Sequence, residues 1–225
     1  EALDKVAANT VGENENSYTV YVKLSEKAYT ISYDLNSAQN AEATGSAPGA
    51  LSSQKYSANV TLDATVTDTT HYKFLGWAVS ATETNAAKIY KGEVAVKTLV
   101  GDTDADVTLH AIWEGNTYTV TYKEADGTAI SVDDEFTSYK YGTGLQTLPS
   151  PTKAGYTLEG WYKEAALTNK VTSITATDGE NMTLYAKWTA AKYTVTLTVN
   201  GGTITDGNVT EYEFGTEATL PTNIT

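Results

Sequence analysis

The chain of 225 residues carries 15 basic and 28 acidic side chains, a formal charge of -13, and every basic residue is a lysine. That balance argues against nucleic acid, which is bound through arginine forks and a positive surface, and against an anionic membrane face. Apolar residues make up 40% of the chain, enough for packed cores, and the absence of cysteine removes disulfides and thiol chemistry.

In chain order, EALDKVAANT at residues 1–10 lacks the basic and then apolar order of a signal peptide. No apolar run reaches the roughly 18 residues that span a bilayer. A first alternating strand, SYTVYVKL (17–24), ends at Leu24, and a second opens at Tyr29 as YTISYDL. Stretches 37–53 and 80–87, rich in Ala, Ser, Thr and Asn, read as loops that tolerate insertion. Between them lie YSANVTLD (56–63) and HYKFLGWAVS (71–80), the latter carrying Gly76-Trp77. DVTLHAIW (106–113) is again a strand, ending at Trp113, and YTVTYKE opens at Tyr118.

From there the phrases return. YGTGLQTLP (141–149) is echoed by FGTEATLP (214–221), GYTLEGWYKE (155–164) repeats the Gly-Trp pair as Gly160-Trp161, and NMTLYAKW (181–188) ends at Trp188 with a new tyrosine, Tyr193, five residues later. At period two, Met182, Leu184, Ala186 and Trp188 share one face, with Thr183, Tyr185 and Lys187 on the other; Tyr193, Val195, Leu197 and Val199 likewise oppose Thr194, Thr196 and Thr198. Thr, Tyr and Val suit a pleated surface. The chain therefore parses as a C-terminal remnant of a preceding repeat (1–27), a full repeat (28–115), a second (116–190) and the N-terminal half of a third (191–225). It reads as the interior of a longer protein.

The order YTVTY, YGTGLQTLPSPTKAGYTLEGWY, MTLYAKW resembles the Listeria-Bacteroides repeat, also known from the B repeat of internalin B and found in tandem on secreted and wall-attached bacterial proteins. Residues 118–188 carry it most fully; residues 29–113 have DATVTDTTHYKF in place of the Pro-Thr-Lys-x-Gly-Tyr turn, and His110-Ala-Ile-Trp113 in place of Tyr-Ala-Lys-Trp. The resemblance implies a mainly β (α+β) fold of tandem small beta-grasp-like repeats, each a curved sheet with a short helix or helical turn, and a non-catalytic surface module. It transfers no catalytic residue.

Asp102, Asp104 and Asp106 have the alternating spacing of a calcium loop, but Val107 stands where glycine is needed and Trp113 where the bidentate glutamate belongs. His71 and His110 have no second ligand at helical spacing and read as structural or surface residues. Nucleophile and phosphate-loop motifs are absent, and Asp133, Asp134 and Glu135 read as a solvated turn, since glycosidase pairs need a cleft and a set separation. Trp77, Trp113, Trp161 and Trp188 read as core, with Gly160-Trp161 a closure in which glycine permits close backbone approach and the indole fills the space beneath. Tyr162 and Tyr185, phased away from the core, are the candidate partner contacts.

The expectation is thus a non-enzymatic spacer or stalk from a bacterial cell surface, with no cofactor or metal, no membrane insertion of its own, and a monomeric state. It could contact a host or cell-surface protein or a glycan. Alternatives are a carbohydrate-binding module, which needs an exposed aromatic row, and an accessory region of a surface hydrolase. The joints EGNT (114–117) and TAAK (189–192) are too short for a floppy tether and predict an elongated rod of repeats.

Overall fold

A computed structural model describes residues 25–101, 105–222 and 225. The expected strand at 17–24, and Asp102 and Asp104, lie outside the described residues. The chain divides into two compact units, one running to Thr67 and then Phe74–Ile112, the other taking Asp68–Lys73 and Trp113–Thr225.

The first unit is built on a sheet of β1 (Ala28–Asp34), β2 (Leu51–Lys55), β4 (Tyr72–Ala78) and β6 (Val107–Gly115), in the order β2-β1-β6-β4. β3 (Asn59–Thr61) pairs separately with β5 (Glu93–Ala95), which leads into the helix α1 (Val96–Val100). Alternation sets the faces: Tyr29, Ile31 and Tyr33 of β1 are buried, whereas Thr30 and Ser32 are half-covered. β1 and β6 run parallel, with Ile31 opposite Val107 and Asp34 opposite His110. The short helix adds Val96, Leu99 and Val100 to the buried side and ends at Gly101.

The second unit repeats the plan. β7 (Thr117–Glu124), β8 (Ser138–Lys140), β9 (Tyr156–Tyr162), β10 (Lys170–Val171) and β11 (Met182–Ala190) form a sheet in the order β10-β9-β11-β7-β8. β7 and β11 are parallel, Met182 opposite Val120 and Ala186 opposite Glu124, as β1 and β6 are. Val120, Tyr122, Tyr139, Trp161, Ile174 and Leu184 are among its buried core. Asp134–Phe136 forms a single 3-10 turn with its acids exposed, the solvated turn expected there. Last come β12 (Lys192–Thr194) and β13 (Glu211–Glu213), an antiparallel pair.

Three local expectations are corrected. The strand expected over 193–199 ends at Thr194, because among the described residues β12 has only β13 beside it, whereas β7 is flanked by both β8 and β11. Residues 37–53 are not a passive insertion: they run into β2 and bury Asn40, and Asn36 just ahead of them is also buried. Asn36 adopts φ 53° and donates from Nδ2 to the carbonyls of Ala81 (2.8 Å) and Ala111 (2.9 Å). Finally, the four-residue joints are mostly strand. Only Asn116 separates β6 from β7, and only Ala191 separates β11 from β12.

Candidate functional site

Both Gly-Trp phrases close a core in the same way. Trp161 is 2% exposed, donates from Nε1 to the Pro149 carbonyl at 2.8 Å and packs against Tyr122, ring centroids 4.7 Å apart. Trp77 is fully buried, donates to the Asp63 carbonyl at 2.8 Å and packs against Tyr33 at 4.6 Å. A buried indole needs a partner for its N–H, and a backbone carbonyl supplies one in each case. Burial raises the phenol pKa of both tyrosines, that of Tyr122 to about 12, while the Asp63 amide partly offsets the shift at Tyr33. Neither is poised as an acid or base.

The glycines differ in what holds them. Gly76 has φ 138°, and a Cβ there would sit 2.7 Å from the Tyr90 carbonyl oxygen and 2.9 Å from Ile89. The adjacent Trp77 exchanges both backbone hydrogen bonds with Tyr90 (2.9 and 2.7 Å), an isolated bridge that fixes the obstructing segment. Gly160 has φ 151°, and its obstruction is the flexible end of Lys170, at 2.5 Å. Gly76→Ala should therefore cost about 3 kcal/mol, combining strain with an immovable clash, and Gly160→Ala nearer about 1 kcal/mol. Urea midpoints of the two variants check this; equal losses would show that torsion alone matters.

Trp113 is 5% exposed, in agreement with a core role, but Trp188 is only half-buried. The β9–β11 register shifts between Lys187 and Trp188, and the Trp188 Nε1 donates to the Glu124 carboxylate at 2.8 Å, so this indole packs on the margin of the core. That shift leaves Glu159 as an extra residue in β9: Lys187 opposes Gly160 and Trp188 opposes Leu158. A bulge re-aims its side chain. Here Glu159 accepts from Lys187 Nζ (2.9 Å) and the Tyr162 hydroxyl (3.0 Å).

Tyr162 consequently is not an open contact residue. Its phase is as expected, opposite in-register Tyr185 of β11, but it is 5% exposed and Lys187 Nζ stands 5.6 Å over its ring. Burial first, and the Glu159 carboxylate second, raise its pKa; hydrogen bonding to Lys187 and then Tyr162 lowers that of Glu159. Tyr185 is half-buried. The sequence could not reveal the cover, since Glu159 faces this group only through the bulge.

The remaining candidates do not converge. His110 Nδ1 lies 2.7 Å from Asp34 across the parallel β1–β6 pair, and His71 stacks on Tyr141 at 4.3 Å within the second unit. Asp106 accepts the Thr30 amide at 2.7 Å. Among the described residues no three His, Cys, Asp or Glu cluster as a metal site, and no helix is long and apolar enough to cross a membrane. A hollow lined by Asp206, Asn208 and Pro221 brings together one carboxylate and no histidine. Exposed Tyr193 and Tyr212 stack at 5.4 Å, but their counterparts Tyr118 and Tyr139 in the preceding repeat are covered, Tyr139 to 4% exposure. The exposure belongs to the β12–β13 pair and is not shared by β7 and β8.

Comparison with known proteins agrees with the duplicated plan. A protein of Evansella cellulosilytica named for the membrane is 29% identical over 203 residues, covering 90% of this chain and 27% of that protein. A second, glycine-rich protein of that organism, also named for the membrane, is 36% identical over 115 residues, covering 51% of this chain and 13% of its own length. Internalin H of Listeria monocytogenes is 35% identical over 111 residues, 47% of this chain and 20% of that protein. The chain thus spans about a quarter or less of these relatives. The Listeria-Bacteroides repeat domain matches residues 29–112 and 118–187, and the chain belongs to that family.

Proposed function

We propose that this chain is a non-catalytic segment of an exported bacterial surface protein, in which beta-grasp-like repeats joined end to end act as a spacer. The beta-grasp reading is supported by the central parallel pairing of the first and last long strands in each sheet, β1 with β6 and β7 with β11. The observation that carries the spacer reading is the single residue between consecutive strands at Asn116 and at Ala191. One residue leaves little freedom for a swinging tether. The net charge of -13 adds mild repulsion and keeps such modules monomeric and unclumped. The names of the relatives, two for the membrane and one an internalin, favour the cell surface or wall as its location.

A protein or glycan partner on this face would meet Tyr185 and the Glu159–Lys187 pair, with Tyr162 beneath them. Small-angle scattering of the chain tests the spacer. An elongated profile is expected, and a compact globule would overturn it.

A further inference from the structure

Residues at the two one-residue joints make the same set of contacts twice, both within the second unit. At the first, the Asn116 amide donates to the His71 carbonyl (2.8 Å) and the Tyr141 amide donates to the Asn116 carbonyl (3.0 Å). At the second, the Ala191 amide donates to the Gly155 carbonyl (2.8 Å) and the Phe214 amide to the Ala191 carbonyl (2.9 Å). Ring contacts recur with the backbone: Tyr72 meets Tyr141 at 5.2 Å and 88°, and Tyr156 meets Phe214 at 5.5 Å and 80°. Even the substitution between joints is compensated. Phe214 lies so close over Gly155 that a Cβ there would be 2.3 Å from its ring, whereas His71, at the equivalent place, stacks its own ring on Tyr141.

Tyr141 and Phe214 occupy one corner of the fold. Each lies two residues beyond the partner of its repeat's first tyrosine, Tyr139 opposite Tyr118 and Tyr212 opposite Tyr193. Each is the second residue of a four-residue turn closed by Thr143 to Lys140 (3.1 Å) or Thr216 to Glu213 (3.1 Å). In the first full repeat Gln54 opposes Tyr29, the Ala58 amide donates to the Lys55 carbonyl (3.0 Å) and Tyr56 is the second residue of that turn, while Glu26 accepts from Lys55 Nζ through its carbonyl (2.9 Å) and from the Ser57 hydroxyl through its carboxylate (2.9 Å). Ser57 follows in place of Gly142 and Gly215 and lacks their positive φ. That changes the turn type: the second residue of type I and type II turns shares a φ of about -60° and differs in ψ. Tyr56 is 40% exposed, and a docked knob keeps comparable exposure, Phe214 being 39% exposed.

We propose that Tyr56 is the docking knob for a further repeat joined directly ahead of Ala28 in the same polypeptide, and that its partner is a turn of the Gly155-Tyr156 type. The occupant is in cis because in both formed joints the linker residue is bonded on each side, accepting from the knob and donating to the turn. Lys27 stands two residues ahead of Tyr29, as Asn116 stands ahead of Tyr118 and Ala191 ahead of Tyr193. The proposal rests on the reading of repeats joined end to end and names the contact that sets their mutual placement.

The test is a concatemer in which residues 28–225 follow Ala191 of the intact chain directly, placing Tyr56 of the second copy beside Gly155-Tyr156 of the first. A double-mutant cycle of Tyr56→Ala in the second copy with Tyr156→Ala in the first is compared with the Tyr156–Phe214 cycle in the unmodified chain. Coupling of about two- to ten-fold in the folding equilibrium constant is expected in both. Independent effects of Tyr56 and Tyr156 would overturn the proposal while leaving the spacer intact if Tyr156 and Phe214 still couple. Loss of coupling in both cycles would overturn the joint altogether. Scattering from the concatemer reports the spacer separately.

Discussion

Replacing Trp161 with alanine is expected to lower stability by about 3–5 kcal/mol. The indole is 2% exposed, stands at the centre of contacts with Tyr122 and the strands β9 and β11, and satisfies the Pro149 carbonyl, so truncation leaves both a cavity and an unpaired acceptor. A small domain has only about 5–15 kcal/mol in total, so much of the second unit should lose protection from amide exchange. Trp188→Ala serves as the comparison. That side chain is half-buried at the margin and bonded to Glu124, and its loss should cost about 1–2 kcal/mol. Urea denaturation followed by circular dichroism measures both; a Trp161→Ala chain as stable as the parent would remove the closure role from the Gly-Trp phrase.

Asn36→Leu should destabilise the first unit by about 3–5 kcal/mol. Leucine has similar size but cannot donate to the carbonyls of Ala81, part-buried, and Ala111, buried, and a buried carbonyl left unpaired costs about 1–3 kcal/mol. It must also hold the left-handed torsion of Asn36, φ 53°, which costs a branched residue about 1–2 kcal/mol more than asparagine. Asn36→Gly separates the two effects, keeping the torsion while losing the bonds. If Gly and Leu at this site cost the same, the torsion contributes nothing; if neither lowers the urea midpoint, the side chain does not tie this loop to β6.

The contrast between these two residues explains what the sequence discloses. Trp161 announces itself because Gly160-Trp161 repeats Gly76-Trp77, and a phrase repeated over divergent surroundings marks a position that the core requires. Strands such as β1 and β11 are equally plain, since alternation at period two follows directly from which face is buried. Asn36 is silent: its role depends on Ala81 and Ala111, remote in sequence, and the loop around it has the small polar composition of an ordinary insertion. Tyr162 misleads for a similar reason. Its strand phase is legible, but the cover supplied by Glu159 and Lys187 arises from a bulge that no local pattern encodes. The joints fall between these cases. Their brevity is visible in EGNT and TAAK, whereas the strands that run almost through them are set by hydrogen bonds to His71 and Gly155.

The spacer proposal requires that the second full repeat and the segment beyond Ala191 keep one placement across the single residue between β11 and β12. The chain contains no cysteine, so Lys163→Cys and Glu217→Cys can be spin-labelled without interference, one in the second full repeat and the other beyond Ala191. Double electron–electron resonance between them reads the distribution of distances across the joint. A single narrow distribution that broadens on Phe214→Ala is the predicted result. A broad distribution in the parent chain, unaltered by that substitution, would contradict it.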